Sequence, residues 1–158
     1  MATTELTIRE FRAGDEAAFR RLNEEWIAKY FAMEAADEAA LADPWGKILN
    51  SGGRIFLAVQ DGQPVGCCAL VVKGPGEFEV AKTAVTESSR GAGIGRRLLE
   101  RVIAEGRVLG ARRLYLETNR TLAPAIGLYE KVGFRHIPPE RVAPSPYARA
   151  DVFMELYF

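Results

Sequence analysis

Fifteen residues constrain this chain more than any others: Val85-Thr-Glu-Ser-Ser-Arg90-Gly91-Ala-Gly93-Ile-Gly95-Arg96-Arg-Leu-Leu99. A β-like run ends at Val85, a short polar turn follows, and three alternate glycines open an amphipathic helix. The fold must therefore pass a strand into a helix through a turn of nearly bare backbone. Alternating glycines let main-chain N–H groups converge on one spot. The first turn of the helix leaves its own N–H groups free, at the positive end of the helix dipole. Together these make a site for a pyrophosphate. The plainer alternative is a glycine-rich turn that holds no ligand.

Spacing decides among phosphate binders. A Walker A loop ends in Gly-Lys-Ser/Thr, whereas Gly95 is followed by Arg96-Arg97, which disfavours nucleotide triphosphate hydrolysis. The dinucleotide fingerprint G-x-G-x-x-G closes the first strand of its domain. Here the pattern is Gly91-Ala92-Gly93-Ile94-Gly95, G-x-G-x-G, and it begins only after residue 90.

Composition closes off other classes. With 158 residues, 48% hydrophobic and 27% charged, the chain has the makings of one globular domain over residues 1–158. Lys+Arg and Asp+Glu each number 21, so no net field draws nucleic acid or an acidic membrane. The longest apolar stretch, near Val65–Val72, is too short to span a bilayer. The N-terminus lacks a basic or apolar signal region, so a cytoplasmic location is expected. Cys67 and Cys68 are strand neighbours pointing to opposite faces, where a disulfide would need a strained turn. They read as packed strand residues rather than acyl-carrying nucleophiles. One histidine and no Cys-x-x-Cys leave no metal site.

The periodicities predict an order of elements. Leu6–Phe11 alternates as a strand, and a helix opening at Gly14-Asp15 carries Ala18, Leu22 and Trp26 at helical spacing, continuing to Tyr30 or Phe31. A second helix covers Ala36–Ala42 and stops at Asp43-Pro44. Arg54–Val59 and Val65–Val72 form a hairpin about Asp61-Gly62, and Phe78–Val85 is the fourth strand. After the glycine turn come a helix over Ile94–Leu109, a strand over Leu114–Thr118 and a helix over Thr121–Lys131 with Pro124 in its first turn. Gly110 and Gly133 end the two helices. Short strands at Arg135–Ile137 and Val152–Tyr157 finish the chain, joined through the proline-rich segment Pro138–Pro146.

Two segments then carry a resemblance. Arg90-Gly-Ala-Gly93-Ile-Gly95 fits Arg/Gln-x-x-Gly-x-Gly/Ala, and Ala125-Ile126-Gly-Leu128-Tyr129-Glu-Lys-Val-Gly133-Phe134 fits A-x-x-L-Y-x-x-x-G-F. Both, in this order and at this spacing, resemble the GNAT superfamily of N-acetyltransferases, as does the whole element order. The resemblance implies an α/β fold with a mixed, mostly antiparallel twisted sheet of six to seven strands and about four helices. It implies acetyl-CoA as co-substrate, no metal, and acetyl transfer to an amine. Backbone groups at Thr83, Ala84 and Val85 would pair with the pantetheine arm. Arg90, Gly91, Ala92, Gly93, Ile94, Gly95 and Arg96 would hold the pyrophosphate mostly by main-chain N–H groups, with Arg90 and Arg96 adding charge or else serving as solvated helix-entry arginines.

Tyr129 matches the family tyrosine facing the coenzyme sulfur, where a phenol can protonate a leaving thiolate; the plain alternative is an aromatic packed beside Ile126 and Leu128. Glu79, six residues before Val85, is expected on the same face of the strand. It matches the catalytic glutamate of histone-acetylating members, acting directly or through water, or else it is a strand glutamate paired with a lysine or arginine. Many relatives have asparagine where this chain has Leu122; Asn119 or Thr121 could substitute, or Asn119 could cap the next helix.

For the acceptor, Trp26, Tyr30 and Glu34 at i, i+4 and i+8 would line one helix face, suiting a cationic amine, or would be core and solvent positions. Tyr147-Ala-Arg149-Ala-Asp151 would recognise a carboxylate-bearing acceptor, or be an ion pair fastening the last strand. The expected partner is a small-molecule, amino-acid or peptide amine. An exposed edge of the last strand could support a homodimer, as in many relatives. The competing readings are a non-catalytic acyl-CoA sensor, which needs neither Tyr129 nor Glu79, and a different pyrophosphate binder.

Overall fold

The computed structural model describes residues 5–158; residues 1–4, part of the segment read above for a leader, lie outside them. In chain order the elements are β1 (Thr7–Glu10), α1 (Glu16–Tyr30), α2 (Ala35–Ala42), β2 (Arg54–Gln60), β3 (Gln63–Gly74), β4 (Glu77–Val85), α3 (Ile94–Val108), β5 (Arg113–Thr118), α4 (Ala123–Lys131), β6 (Arg135–His136) and β7 (Val152–Tyr157). A five-residue π-type turn, Trp45–Leu49, follows Pro44, at which the sequence pattern predicts only a helix stop. Among the described residues no helix is long and apolar enough to cross a membrane.

The seven strands form one sheet in the order β1-β2-β3-β4-β5-β7-β6. All neighbours are antiparallel except β4 and β5. That parallel ladder is short, joining Glu77, Phe78 and Glu79 to Arg113, Leu114 and Tyr115. Beyond Glu79 the two strands diverge and the β4 edge is left without a strand partner.

Each face of the sheet has its own core. Phe56, Cys68, Leu70, Phe78 and Val80 pack under α3 and α4 with Leu98, Leu99, Val102 and Tyr129. Leu57, Cys67, Ala69 and Ala84 pack on the other face with Phe19 and Leu22 of α1 and Leu41 of α2. The adjacent cysteines divide between the two cores as strand geometry requires, and both are free and buried. Burial pushes both thiols up, Cys68 to about 12, so neither is a thiolate at neutral pH.

One irregularity overturns an expectation. Cys67 pairs with Ala84 but Ala69 pairs with Ala81, so Cys68 alone faces Lys82 and Thr83. This is a β-bulge, and Lys82 takes the left-handed conformation at φ 53°. An extra residue reverses the alternation of side chains beyond it. Phe78 and Val80 lie on the α3 face, but past the bulge it is Val85 that joins that core and Ala84 that joins the other. Glu79 and Val85 therefore point to opposite faces, not to one.

The sheet order also corrects the expected edge. β7 is internal, between β5 and β6, and Ile137 N–H donates to Phe153 O just beyond the β6 ladder. The two-residue β6, not β7, is the terminal strand on that side.

Candidate active site

The divergence of β4 from β5 opens a cleft of about 570 Å³. Val85, Gly95, Leu99, Leu128 and Tyr129 form one wall, and Trp26, Tyr30, Phe31, Tyr147 and Arg149 the other, with Glu79, Lys82, Thr83 and Glu117 between them. It runs between the two faces of the sheet at the point where the ladder gives out.

At one end lies the glycine turn. Gly91 and Gly93 have φ of +85° and +78°, and a Cβ on either would meet nothing within 4 Å. Gly93 caps α3 without help from any side chain, and the first bond of the helix runs from Arg97 N–H to Gly93 O at 3.1 Å. The N–H groups of Ile94, Gly95 and Arg96 thus have no acceptor within the helix. No acidic side chain occupies this first turn. The turn therefore fits a pyrophosphate, and the apolar wall beside it with the unpaired β4 edge at Thr83, Ala84 and Val85 fits a pantetheine arm whose amides need partners. Acetyl-CoA matches this set of donors and surfaces.

The side chains there do less than the main chain. Arg90 turns back to donate to Val85 O at 3.2 Å, and Arg96 lies along the helix, 3.9 Å from Glu100. Ile94 is a core residue, so only its backbone faces the turn. Asn119 uses its amide to tie β5 to the β6–β7 connection, donating to Arg149 O at 2.7 Å and accepting from Thr121 N–H at 2.9 Å. It lines the cleft but is not the cap of α4, which begins after Leu122.

Tyr129 owes its position to the end of α4. Phe134 N–H returns to Tyr129 O at 3.0 Å and Gly133 N–H to Glu130 O at 3.1 Å, with Gly133 at φ +114°. This is the Schellman closure, including its apolar contact: the Tyr129 and Phe134 rings meet edge to face at 6.1 Å. The glycine and phenylalanine of the second motif are thus the fastening of its tyrosine. Burial pushes the Tyr129 hydroxyl well above the ordinary phenol range, the nearby Cys68 adds to this, and a hydrogen bond with Thr83 opposes it. Thr83 Oγ1 also lies 3.2 Å from Cys68 Sγ. A phenol so placed keeps its proton at neutral pH.

Glu79 sits on the opposite face. Burial raises its pKa; Lys73, with Nζ 3.4 Å away, opposes that rise, and Glu117 adds to it. It is paired with a lysine, as one sequence reading has it, and it is also a desolvated carboxyl in the cleft.

The wall that carries Trp26, Tyr147 and Arg149 is built around Asp37, which is fully buried. Its carboxylate accepts from both terminal nitrogens of Arg149 at 2.7 Å, from Lys82 Nζ at 2.7 Å and from Glu34 N–H at 3.0 Å. Burial alone would raise its pKa, but the hydrogen bonds from Arg149 and then Lys82 prevail and hold it at about 2. Lys82 Nζ also donates to Tyr147 Oη at 3.0 Å, and the Arg149 guanidinium lies 4.6 Å from the Tyr147 ring and 5.5 Å from the Trp26 ring.

Two expectations change here. Glu34 is not on the face of α1 with Trp26 and Tyr30, because α1 ends at Tyr30 and Glu34 caps α2 in a capping box with Asp37. Trp26 and Tyr30 do line the cleft. Arg149 turns inward to Asp37, whereas Asp151 pairs outward with Arg120 at 3.4 Å. Lys82, Asp37 and Glu117 were not singled out from sequence; the available signal was a lysine interrupting Phe78-Glu-Val-Ala-Lys-Thr-Ala-Val85. Among the described residues no group of three or more His, Cys, Asp or Glu is placed to hold a metal ion.

Known proteins resemble this chain in sequence and in fold. The model of the acetyltransferase (GNAT) family matches residues 15–134. An uncharacterized N-acetyltransferase of Schizosaccharomyces pombe is 30% identical over 133 residues, covering 81% of each chain. An IAA acetyltransferase of Azospirillum brasilense is 43% identical over 82 residues, a match spanning 51% of this chain and about half, 54%, of that protein. Among solved structures, a GNAT-family acetyltransferase of Staphylococcus aureus superposes with a TM-score of 0.88 at 21% identity, covering 97% of this chain and 99% of that one. YncA of Salmonella typhimurium, solved with its cofactor acetyl-CoA, gives 0.77 at 21% identity over 96% and 93%. With a family match over most of its length and a relative of this similarity across four-fifths of it, the chain belongs to the GNAT family of acetyltransferases.

Proposed function

We propose that this protein transfers the acetyl group of acetyl-CoA to a primary amine, on a small molecule, amino acid or peptide, by direct attack in a ternary complex. The observation that carries this reading is the meeting of a donor-lined turn, a buried phenol and a buried carboxyl in one cleft. Acetyl-CoA supplies an acyl thioester, whose carbonyl carbon takes the amine and whose sulfur departs. The N–H groups from Gly91 to Arg96 hold the pyrophosphate. The β4 edge at Thr83, Ala84 and Val85 orients the pantetheine arm, and an N–H there donates to the carbonyl oxygen as it gains charge. Glu79, its pKa raised, takes a proton from the acceptor ammonium directly or through water. Tyr129, still protonated, gives one to the departing sulfur, and the second proton that the attacking nitrogen sheds as its bond to carbon forms passes through solvent to restore the phenol.

The test is release of CoA thiol from acetyl-CoA across amines, amino acids, polyamines and short peptides, with Tyr129→Phe in parallel. Turnover that falls about 10²-fold or more in the variant is the expected result. Acetyl-CoA binding with no turnover of any acceptor would overturn the reading in favour of an acyl-CoA sensor.

A further inference from the structure

The acceptor half of the cleft has two unlike ends. Lys82 and Arg149 stand on the α2 side, with side chains only 6% and 13% exposed, and share the single buried carboxylate of Asp37. Glu34 is a longer partner for Arg149, at 3.5 Å, and is itself engaged by Ala148 N–H. Lys82 and Arg149 thus face one fully buried carboxylate, Asp37, and one part-buried one, Glu34, so the wall is balanced in charge and what it offers a ligand is donors. Its donors are not exhausted. A lysine ammonium has three N–H groups, and two are directed at Asp37 and Tyr147. Tyr147 accepts from Lys82 through its oxygen and so keeps its own proton to donate. Both residues line the cleft.

The other end is anionic. Glu79 and Glu117, on the diverging strands, both line the cleft; the half-exposed Lys73 pairs with Glu79, and Ser145 Oγ donates to Glu117 at 2.6 Å. Glu79 and Lys82 lie three residues apart on β4 and both line the cleft, so one small ligand that carries an ammonium and a carboxylate can face both. A polyamine would place a second cation against Lys82 and Arg149, and a peptide N-terminus would offer them only a neutral carbonyl.

Resting on the reading that an amine is acetylated, we propose that the acceptor is a free α-amino acid. Lys82 and Tyr147 bind its carboxylate in the field of Arg149, and its amino group faces Glu79 and Glu117. Asp37 orients the two cations.

Calorimetry on the CoA-loaded protein tests this apart from turnover, with the common L-α-amino acids, their neutral α-amides and the corresponding decarboxylated amines as probes. At least one amino acid binds about tenfold or more tightly than its amide and its amine, as one charge-assisted hydrogen bond requires. Tyr147→Phe, which keeps the ring, lowers that preference about tenfold. Equal or tighter binding of the amides and amines, no amino-acid binding, or a preference unchanged in Tyr147→Phe would overturn the proposal. CoA-release assays on the same probes separate the two readings. Carboxylate-dependent binding with no acetylation sinks the transfer reading alone, and acetylation indifferent to the carboxylate sinks this one alone.

Discussion

Replacing Asp37 by asparagine is the most informative single perturbation of this molecule. The carboxylate is fully buried and accepts four hydrogen bonds, three from the cations of Lys82 and Arg149 and one from Glu34 N–H. Asparagine keeps the shape, removes the charge, and turns an N–H₂ group toward donors. Two estimates bracket the cost. Holding the carboxyl at about 2 rather than 3.8 corresponds, at about 1.4 kcal/mol per unit, to about 2.5 kcal/mol. Removing one member of a buried ion pair, with its partners left uncompensated, costs about 3–5 kcal/mol. We expect Asp37→Asn to lose about 3 kcal/mol in urea unfolding at pH 7. Adding Lys82→Met should recover part of that, so that the double variant is less destabilised than the two single losses summed by about 1 kcal/mol or more. The pH dependence has a fixed sign. A carboxyl whose pKa is lowered on folding stabilises fully above its unfolded value and loses that contribution as pH falls through the folded one. The gap between wild type and Asp37→Asn should therefore be constant above about pH 5 and narrow between about pH 4 and 2. A loss below about 1 kcal/mol, or a gap that does not change over that range, would refute the account of Asp37 as the anchor of this wall.

Three further outcomes bear on the cleft. Glu79→Gln should lower kcat/KM about 10²-fold and flatten the acidic limb of its pH profile; because burial raises the Glu79 pKa, the wild-type limb should lie above 4.5, the ordinary glutamate value, and a limb unchanged in the variant would remove Glu79 as the base. Thr83→Val, which deletes the hydroxyl between Cys68 and Tyr129, should reduce kcat about tenfold while changing the KM for acetyl-CoA less than about threefold; equal loss in both would mean Thr83 shapes the coenzyme site instead. Gly93→Ala should cost about 1 kcal/mol in urea unfolding from its positive φ alone, because the added Cβ meets no neighbour, and should weaken acetyl-CoA binding measured by calorimetry.

What was legible in the sequence was what is local in the chain. The turn at Gly91–Gly95 could be read because its backbone geometry lies within a few residues; Tyr129 was marked only by the motif it sits in, and the Schellman closure explains why Gly133-Phe134 travels with it. Elements read from periodicity fell within a residue or two of their observed ends. The acceptor wall was not legible for the same physical reason in reverse. Asp37 meets Lys82 across 45 residues and Arg149 across 112, and no spacing rule reaches that far. Glu34 was misplaced because helical periodicity says nothing of where α1 stops, and the chain turns extended at Phe31. Glu79 was assigned to the wrong face because alternation was counted through Lys82, where one bulged residue reverses it.

That bulge and the divergence of β4 from β5 act together. In a regular strand Glu79 would share a face with Thr83 and Val85, and hence with Tyr129 and the coenzyme-side wall. The bulge instead sends Glu79 and Lys82 toward α1 and α2 while Thr83 stays against Cys68 and Tyr129. In the proposed reaction the acid must reach the departing sulfur and the base must reach the incoming amine, and these lie on opposite sides of one carbonyl carbon. A continuous ladder would close the space between the two groups with paired backbone. The parallel pairing ends at Glu79, so the gap opens at the residue from which the base is offered, and the reversed alternation puts acid and base on either side of it. The same extra residue leaves Lys82 in the left-handed region, a conformation that an L-residue adopts only where its surroundings hold it there. Its bonds to Asp37 and Tyr147 supply that restraint. The strain of the bulge is thus offset by the wall proposed to bind the acceptor, and one inserted residue links the geometry of catalysis to that of recognition.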